Sequence, residues 1–192
     1  MMRRAAVRLA AVRLAAIVLA AATAPLPAHA ADGELRAWSV PGRGKLEMVV
    51  PADWYDDPRG PQGALPRVRF FDRLGPRPPF DMTVTIAWST GKDASFKDPT
   101  RLRGFVAQSA DELAAGTVEK RFPLREIQGE HGLGYFFQAT VQSPAAGAWP
   151  HLTQGAFVTG DLLLAFSILT AEAQSPAVER AIAMLRTARR VP

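Results

Sequence analysis

The chain has 192 residues, of which 48% are hydrophobic and none is cysteine, and its formal net charge is +5. The absence of cysteine excludes disulfides, zinc–thiolate centres and thiol nucleophiles. Four of the 23 basic residues and none of the 18 acidic residues precede residue 31, so the remaining chain has 19 basic residues against 18 acidic ones. Such a nearly neutral chain lacks the positive field that holds a polyanion, and we expect no nucleic-acid partner.

The first 30 residues have the three parts of a secretory signal peptide. Arginines form a basic head, an apolar run covers residues 14–24, and the small-residue pattern Ala28-His29-Ala30 closes the segment. The run is shorter than the roughly 20 apolar residues that a spanning helix needs, so we expect cleavage after Ala30 and no membrane span afterwards. Sec export is favoured, although the pair Arg3-Arg4 leaves the twin-arginine route open.

The remaining residues, 31–192, have the size of a single domain. Arginine far outnumbers lysine, and alanine, glycine and proline are abundant, as is typical of a GC-rich bacterial genome. We therefore expect a periplasmic or secreted protein.

The first half of this domain predicts strands separated by polar turns. Strands are expected at 37–40, 45–50 and Arg67–Asp72, and the segment 56–63, rich in Pro, Gly and Asp, is expected to be a loop. The strongest strand signal lies at 82–88, where apolar residues alternate with smaller ones in the period of a half-buried strand.

A first helix is predicted from its end signals. Asp98 is a good N-cap, Pro99 suits the first helical position, and Gly116 follows the end. The apolar residues between them recur at helical spacing and predict one buried stripe. That stripe comprises Leu102, Phe105, Val106, Ala110, Leu113 and Ala114.

Four more strands are predicted at 124–128, 134–141, 155–159 and 162–169, joined in pairs by short glycine-containing turns. A closing helix is expected after the cap Ser175, with Arg189 and Arg190 in its last turn. Its buried stripe is predicted to comprise Val178, Ala181, Ile182, Leu185 and Ala188.

The order and spacing of these elements predict the fold class. Short turns favour antiparallel pairing, because parallel neighbours need a crossover connection. A helix with a single apolar stripe must cover a sheet face. We therefore expect an α+β fold in which a central antiparallel β-sheet is flanked by two main α-helices.

Segment 45–54, KLEMVVPADW, resembles the opening of PsbP-like domains, in which a strand leads into Val-Pro-x-x-Trp. The segment 132–136, GLGYF, the late hairpin and the C-terminal amphipathic helix are also similar to that family. The resemblance implies an α/β/α sandwich. Members serve as extrinsic photosystem subunits, exported lipoproteins and binding modules, and the fold carries no shared catalytic residues. This chain differs from the lipoprotein members because it has no cysteine.

A search for catalytic motifs finds none. The chain has no G-x-S-x-G elbow and no H-E-x-x-H pair, and Gly91-Lys92-Asp93 lacks the Ser or Thr and the glycines of a phosphate loop. Gly129, Gly132 and Gly134 have the wrong spacing for dinucleotide binding and are interpreted as hairpin residues. We expect no catalytic residues, no cofactor and no metal.

Binding candidates remain at three places. Asp56 and Asp57 lie beside Trp54 and Tyr55, a combination that could bind a cation or a sugar. The competing interpretation is a polar turn after a strand, with Trp54 as a core anchor.

His131 and His151 both adjoin predicted turns. They could form a metal or proton site with Glu130, or be solvated loop histidines. Trp149, in the loop 143–150, could contact a partner or pack inward.

These observations favour an exported, non-enzymatic binding or accessory domain whose partner could be an envelope protein or a membrane complex. The first alternative is a small-ligand carrier with a pocket between sheet and helix. The second is an unrecognised hydrolase, for which the sequence provides no nucleophile–base pair.

Overall fold

The structure is a computed structural model, and it describes residues 33–59, 65–72, 78–89 and 95–192. The predicted signal peptide and its cleavage site lie outside these residues. Within the described part, no helix is long and apolar enough to cross a membrane.

Ten strands and two α-helices make up the described chain, with short 3-10 turns on either side of the first helix. In chain order they are β1 Gly33–Val40, β2 Gly44–Pro51, β3 Trp54–Arg59, β4 Arg67–Asp72, β5 Phe80–Trp88, α1 Pro99–Leu113, β6 Arg125–Gln128, β7 Gly132–Thr140, β8 His151–Thr159, β9 Leu162–Thr170, α2 Pro176–Arg186 and β10 Arg189–Val191.

Seven strands form a large antiparallel sheet in the order β3-β4-β5-β9-β8-β7-β6. Strands β5, β9 and β8 pair along their whole nine-residue lengths. The central β9 is apolar almost throughout, as a strand covered on both faces should be. The predicted α+β class, with a central antiparallel sheet flanked by two helices, is confirmed.

A second, three-stranded sheet has the order β1-β2-β10 and was not predicted as a separate layer. Its strand β10 contains Arg189 and Arg190, which the sequence placed in the last turn of the closing helix. That prediction was wrong, because α2 ends at Arg186 and the chain then pairs with β2. The Thr187 hydroxyl bonds the carbonyl of Met184 and accepts the amide of Val49, which fixes this change of direction.

Two hydrophobic cores lie on the two faces of the large sheet. The larger core joins one face to α2 and the three-stranded sheet, and it includes Trp54, Phe70, Phe157 and Ile182. The smaller core joins the other face to α1. Helix α1 lies mainly against β7 and β8, so no helix of the described residues packs over the β3–β4–β5 half of that face.

This offset corrects the predicted stripe of α1. Leu102, Val106 and Ala110 are buried as expected, whereas Phe105 remains 40% exposed. Phe105 lies on the flank of α1 that faces strands β5 and β9, and among the described residues no second layer packs on it. Helical spacing identifies the apolar face of a helix, but the width of the face that is buried depends on the partner.

Candidate functional site

Strand β3 separates the residues of the acidic-aromatic candidate cluster. The sequence predicted a loop over 56–63, of which 60–63 lie outside the described residues. Residues 56–59 belong instead to a strand in which Trp54–Arg59 pair with Arg67–Asp72. The prediction failed because Pro58 is compatible with an edge strand, whose outer side needs no amide donor. Side chains alternate along a strand, so Trp54 and Asp56 turn toward the larger core while Tyr55 and Asp57 lie on the opposite face.

Trp54 belongs to the larger hydrophobic core. Its side chain is fully buried, its ring centroid lies 4.4 Å from that of Phe80, and the guanidinium of Arg180 lies 5.2 Å from the ring. The anchor interpretation is therefore the correct one for this residue.

Asp56 is likewise engaged inside the protein. Its carboxylate accepts a hydrogen bond from Arg36 at 2.7 Å and another from the indole N–H of Trp38 at 2.9 Å. Both donors belong to β1, so Asp56 links the small sheet to the large one. This carboxylate therefore has two structural partners within the described residues.

The two histidines lie at opposite ends of β7. His131 precedes the first residue of β7, whereas His151 pairs with the last, Thr140. Nine strand residues span about 30 Å, so the two imidazoles cannot share one metal ion. His131 lies 3.7 Å from Glu130 on the rim of a cleft of about 380 Å³ beside the start of α1. No group of three metal-binding side chains occurs in the described part of the chain.

His151 belongs to a polar network that sequence reasoning missed. Glu119 accepts hydrogen bonds from the amide and hydroxyl of Thr140 at 2.7 and 2.8 Å, and that hydroxyl lies 3.4 Å from Nδ1 of His151. Burial opposes ionisation of Glu119, but the Thr140 hydrogen bonds and the charge of His151 outweigh it and lower its pKa. The carboxylate takes the place of a strand partner at the outer edge of β7, a role that no local sequence signal marks.

Trp149 is half-buried in the segment before β8. The next residue, Pro150, accepts a hydrogen bond from the amide of Val141 at 2.8 Å, which closes the connection between β7 and β8. A half-buried ring is compatible with both interpretations of Trp149, contact with a partner and inward packing.

The largest of the clefts described here, which we call the α2 cleft, has a volume of about 720 Å³ and lies between α2 and the β6–β7 edge of the large sheet. Phe136, Val178 and Ile182 supply buried apolar side chains to it. Gln138 adds an amide, and Ser175 marks the end of the cleft at the start of α2. The α2 residues that line the cleft, Val178, Glu179, Ile182 and Arg186, recur every three or four positions and therefore lie along one side of the helix. The cleft thus runs parallel to α2.

Four charged residues line the α2 cleft: Arg125, Glu126, Glu179 and Arg186. All four are exposed, and none forms an ion pair or side-chain hydrogen bond within the described residues. Two cations and two anions thus remain available to a bound molecule. Sequence patterning could not identify this set, because its members come from β6 and from both ends of α2.

A second cleft, the α1 cleft, has a volume of about 230 Å³ and lies on the opposite face of the sheet, between α1 and strands β5, β9 and β8. Its lining contains Thr83, Thr85, Ser109, Gln154 and Ser167 and no ionisable side chain. Phe105 forms its aromatic wall. Neither this cleft nor the α2 cleft is lined by a histidine that could activate a hydroxyl.

No family model matches the chain, and no curated protein matches it. Among solved structures it is similar to cyanobacterial PsbP from Synechocystis, with 14% identity, a TM-score of 0.49, and coverage of 83% of this chain and 94% of that one. It is also similar to a crystal structure from Bacteroides thetaiotaomicron, with 10% identity and a TM-score of 0.46 over 77% of this chain. The match covers 45% of that protein, so the chain spans less than half of its length.

A cyanobacterial PsbP protein is thus among the similar structures. At these identities the likeness concerns the fold alone, and neither structure assigns a function to this chain.

Proposed function

We propose that this protein is an exported, non-enzymatic binding domain that holds a small ligand in the α2 cleft. The observation that carries the proposal is the cleft itself, which combines a volume of about 720 Å³, an apolar floor and four unpaired charges. Ligand sites typically occupy roughly 300–1,000 Å³ and join an apolar lining to a few polar groups that fix orientation.

The lining favours an amphipathic ligand with both positive and negative groups. An apolar portion would lie against Phe136, Val178 and Ile182, where contact with water is already small. Arg125 and Arg186 would receive carboxylate or phosphate oxygens, and Glu126 and Glu179 would receive ammonium groups.

The absence of a nucleophile–base pair among the cleft residues supports binding without catalysis. Ser175, the hydroxyl residue of the α2 cleft, caps the helix by accepting the amide of Ala177. A hydroxyl without a neighbouring base is a weak nucleophile. Export follows from the signal-peptide pattern of residues 1–30, and N-terminal sequencing of the native protein tests cleavage after Ala30.

Native mass spectrometry of protein purified gently from its own host tests the binding role. We expect an additional mass that denaturation releases. The variant Glu179→Trp, an exposed change that fills the mouth of the cleft, should lose this mass while its melting temperature stays within a few degrees of the parent.

The matched control is Glu112→Trp, which places the same side chain on an exposed position of α1, away from the cleft. This control should retain the ligand. The proposal is wrong if the native protein carries no additional mass, or if both tryptophan variants retain it equally.

A further inference from the structure

The register of the large sheet aligns polar side chains in a row across its α1 face. Asp57 lies opposite Arg69, Arg69 opposite Thr83, Thr83 opposite Ser167, and Ser167 opposite Gln154. Successive side chains along each strand alternate between the faces, so this row shares the face on which α1 lies. The neighbouring row places Thr85 opposite Ala165 on the same face.

The uncharged members of this surface have unused hydrogen-bonding groups. Thr83, Thr85, Gln154 and Ser167 make no side-chain hydrogen bond within the described residues, and all four line the α1 cleft. Each of these three hydroxyls and the one amide can both donate and accept hydrogen bonds. They come from three adjacent strands of the central sheet, so their positions are fixed by the backbone.

Among the charged residues beside the cleft, Arg69 and Asp81 pair with each other, whereas the exposed Arg67 lies opposite Thr85. Arg69 donates from Nε to both carboxylate oxygens of Asp81 at 2.9 Å and from Nη2 to Oδ2, so two guanidinium nitrogens bind the carboxylate as in a bidentate pair. Asp57 adds a further negative charge near the same guanidinium. The lining of the α1 cleft itself contains no ionisable side chain that could serve as a counter-charge for an ionised ligand.

Aromatic rings border the surface on both sides. Phe105 is 40% exposed on the helix side of the cleft. On the strand side Tyr55 is 46% exposed, and its ring centroid lies 5.7 Å from that of Phe71. Exposed rings provide flat apolar faces for the C–H surfaces of a ligand.

We propose that the α1 cleft and the adjoining sheet face bind a neutral oligosaccharide. A sugar ring presents hydroxyl groups at its edge and C–H groups on its faces, which match the hydroxyl and amide row and the flanking rings. The site is independent of the α2 cleft, because the two lie on opposite faces of the large sheet. Of the residues 54–57, Tyr55 and Asp57 border this surface, whereas Trp54 and Asp56 do not.

An NMR titration of the ¹⁵N-labelled protein tests the proposal. The probes are maltohexaose, cellohexaose and N-acetylated chitohexaose, with hexagalacturonate as the charged comparison. At least one neutral hexasaccharide should shift the amide signals of β5, β9 and the middle of α1. Hexagalacturonate should bind at least about tenfold more weakly, because no ionisable group of the cleft lining compensates the free-energy cost of desolvating its carboxylates.

Variants locate the contacts. Phe105→Ala and the double variant Thr83→Val with Thr85→Val should each weaken binding about tenfold, through a lost ring face and lost hydrogen bonds respectively. Val118→Ala is the control, since Val118 is an apolar residue that is 59% exposed, compared with 40% for Phe105, and lies outside the cleft. It should bind as the parent does.

Three results would overturn the proposal: no shift with any neutral hexasaccharide, shifts confined to the residues of the α2 cleft, or hexagalacturonate binding as tightly as the neutral probes. Because the α2 cleft is tested by its own variants, failure of the saccharide site leaves the proposed function unaffected. Melting temperatures of the Thr→Val variants should match or exceed that of the parent, which separates lost binding from lost folding.

Discussion

At the scale of single residues, the ring of Phe157 explains why three neighbouring positions are occupied by glycine. Phe157 is fully buried, and its ring would contact a Cβ placed on Gly129, Gly132 or Gly134 at less than 3.0 Å. All three glycines have negative or unexceptional φ, so close approach and not turn geometry requires them. The hairpin interpretation from the sequence placed them correctly on the β6–β7 turn and β7 but missed this reason.

Gly132→Ala should therefore destabilise the protein by about 3 kcal/mol or more, because its Cβ would lie 2.0 Å from the carbonyl oxygen of Val158. Chemical denaturation gives the free energy of unfolding. The control Gly104→Ala changes an exposed position of α1 with no neighbour within 4 Å. It should stabilise the protein by up to about 1 kcal/mol through helix propensity. Equal effects of the two changes would contradict this explanation.

At the scale of elements, the end of α2 shows how a local signal can mislead. Arginines near a helix C-terminus are favourable, and the sequence therefore suggested that α2 continues through Arg190. The structure ends the helix at Arg186 because the Thr187 hydroxyl binds Met184 and Val49, and the chain then adds a third strand to the small sheet. Residues far away in the sequence decide this outcome.

Thr187→Val keeps the shape of the side chain and removes both hydrogen bonds. The amide of Val49 would lose its partner, so we expect a loss of about 1–2 kcal/mol in the free energy of unfolding. Thr83→Val is the matched control, since its hydroxyl has no partner within the described residues. The explanation fails if the two substitutions cost the same.

The start of α1 could be predicted from the sequence, whereas the strand β3 could not. The N-cap of α1 was identified correctly: Asp98 accepts the amide of Thr100 at 2.8 Å, and Pro99 follows it. Local chemistry suffices there, because every group involved lies within three residues. The strand β3 was missed, because Asp, Pro and Arg give no strand signal and only pairing with β4 orders them.

At the scale of the whole molecule, stability should depend on pH through Glu119. Its pKa lies below the ordinary value of 4.5 in the folded protein, so its ionised form is favoured by folding. The resulting stabilisation is complete above the unfolded pKa and disappears as the pH falls through the folded pKa.

Melting temperatures of the parent and of Glu119→Gln, measured from pH 7 to pH 2, test this linkage. The parent should melt higher by a constant margin at neutral pH, and the margin should shrink below about pH 4.5. A margin that stays constant down to pH 2 would show that Glu119 contributes through packing alone.

By itself, the sequence determined the α+β class, both helix starts, the paired strands of the second half and the buried apolar residues of the central sheet. These follow from periodicity and capping, which act over a few residues. Tertiary structure alone decided the three-stranded sheet, the strand β3, and the clefts on either face. Each of these features depends on which distant segments pair and on where a helix lies across a sheet. The spacing of residues along the sequence gives no information about either. For the same reason the sequence indicated the candidate residues 54–57 as a cluster, and strand alternation then assigned two of them to the core and two to an open face.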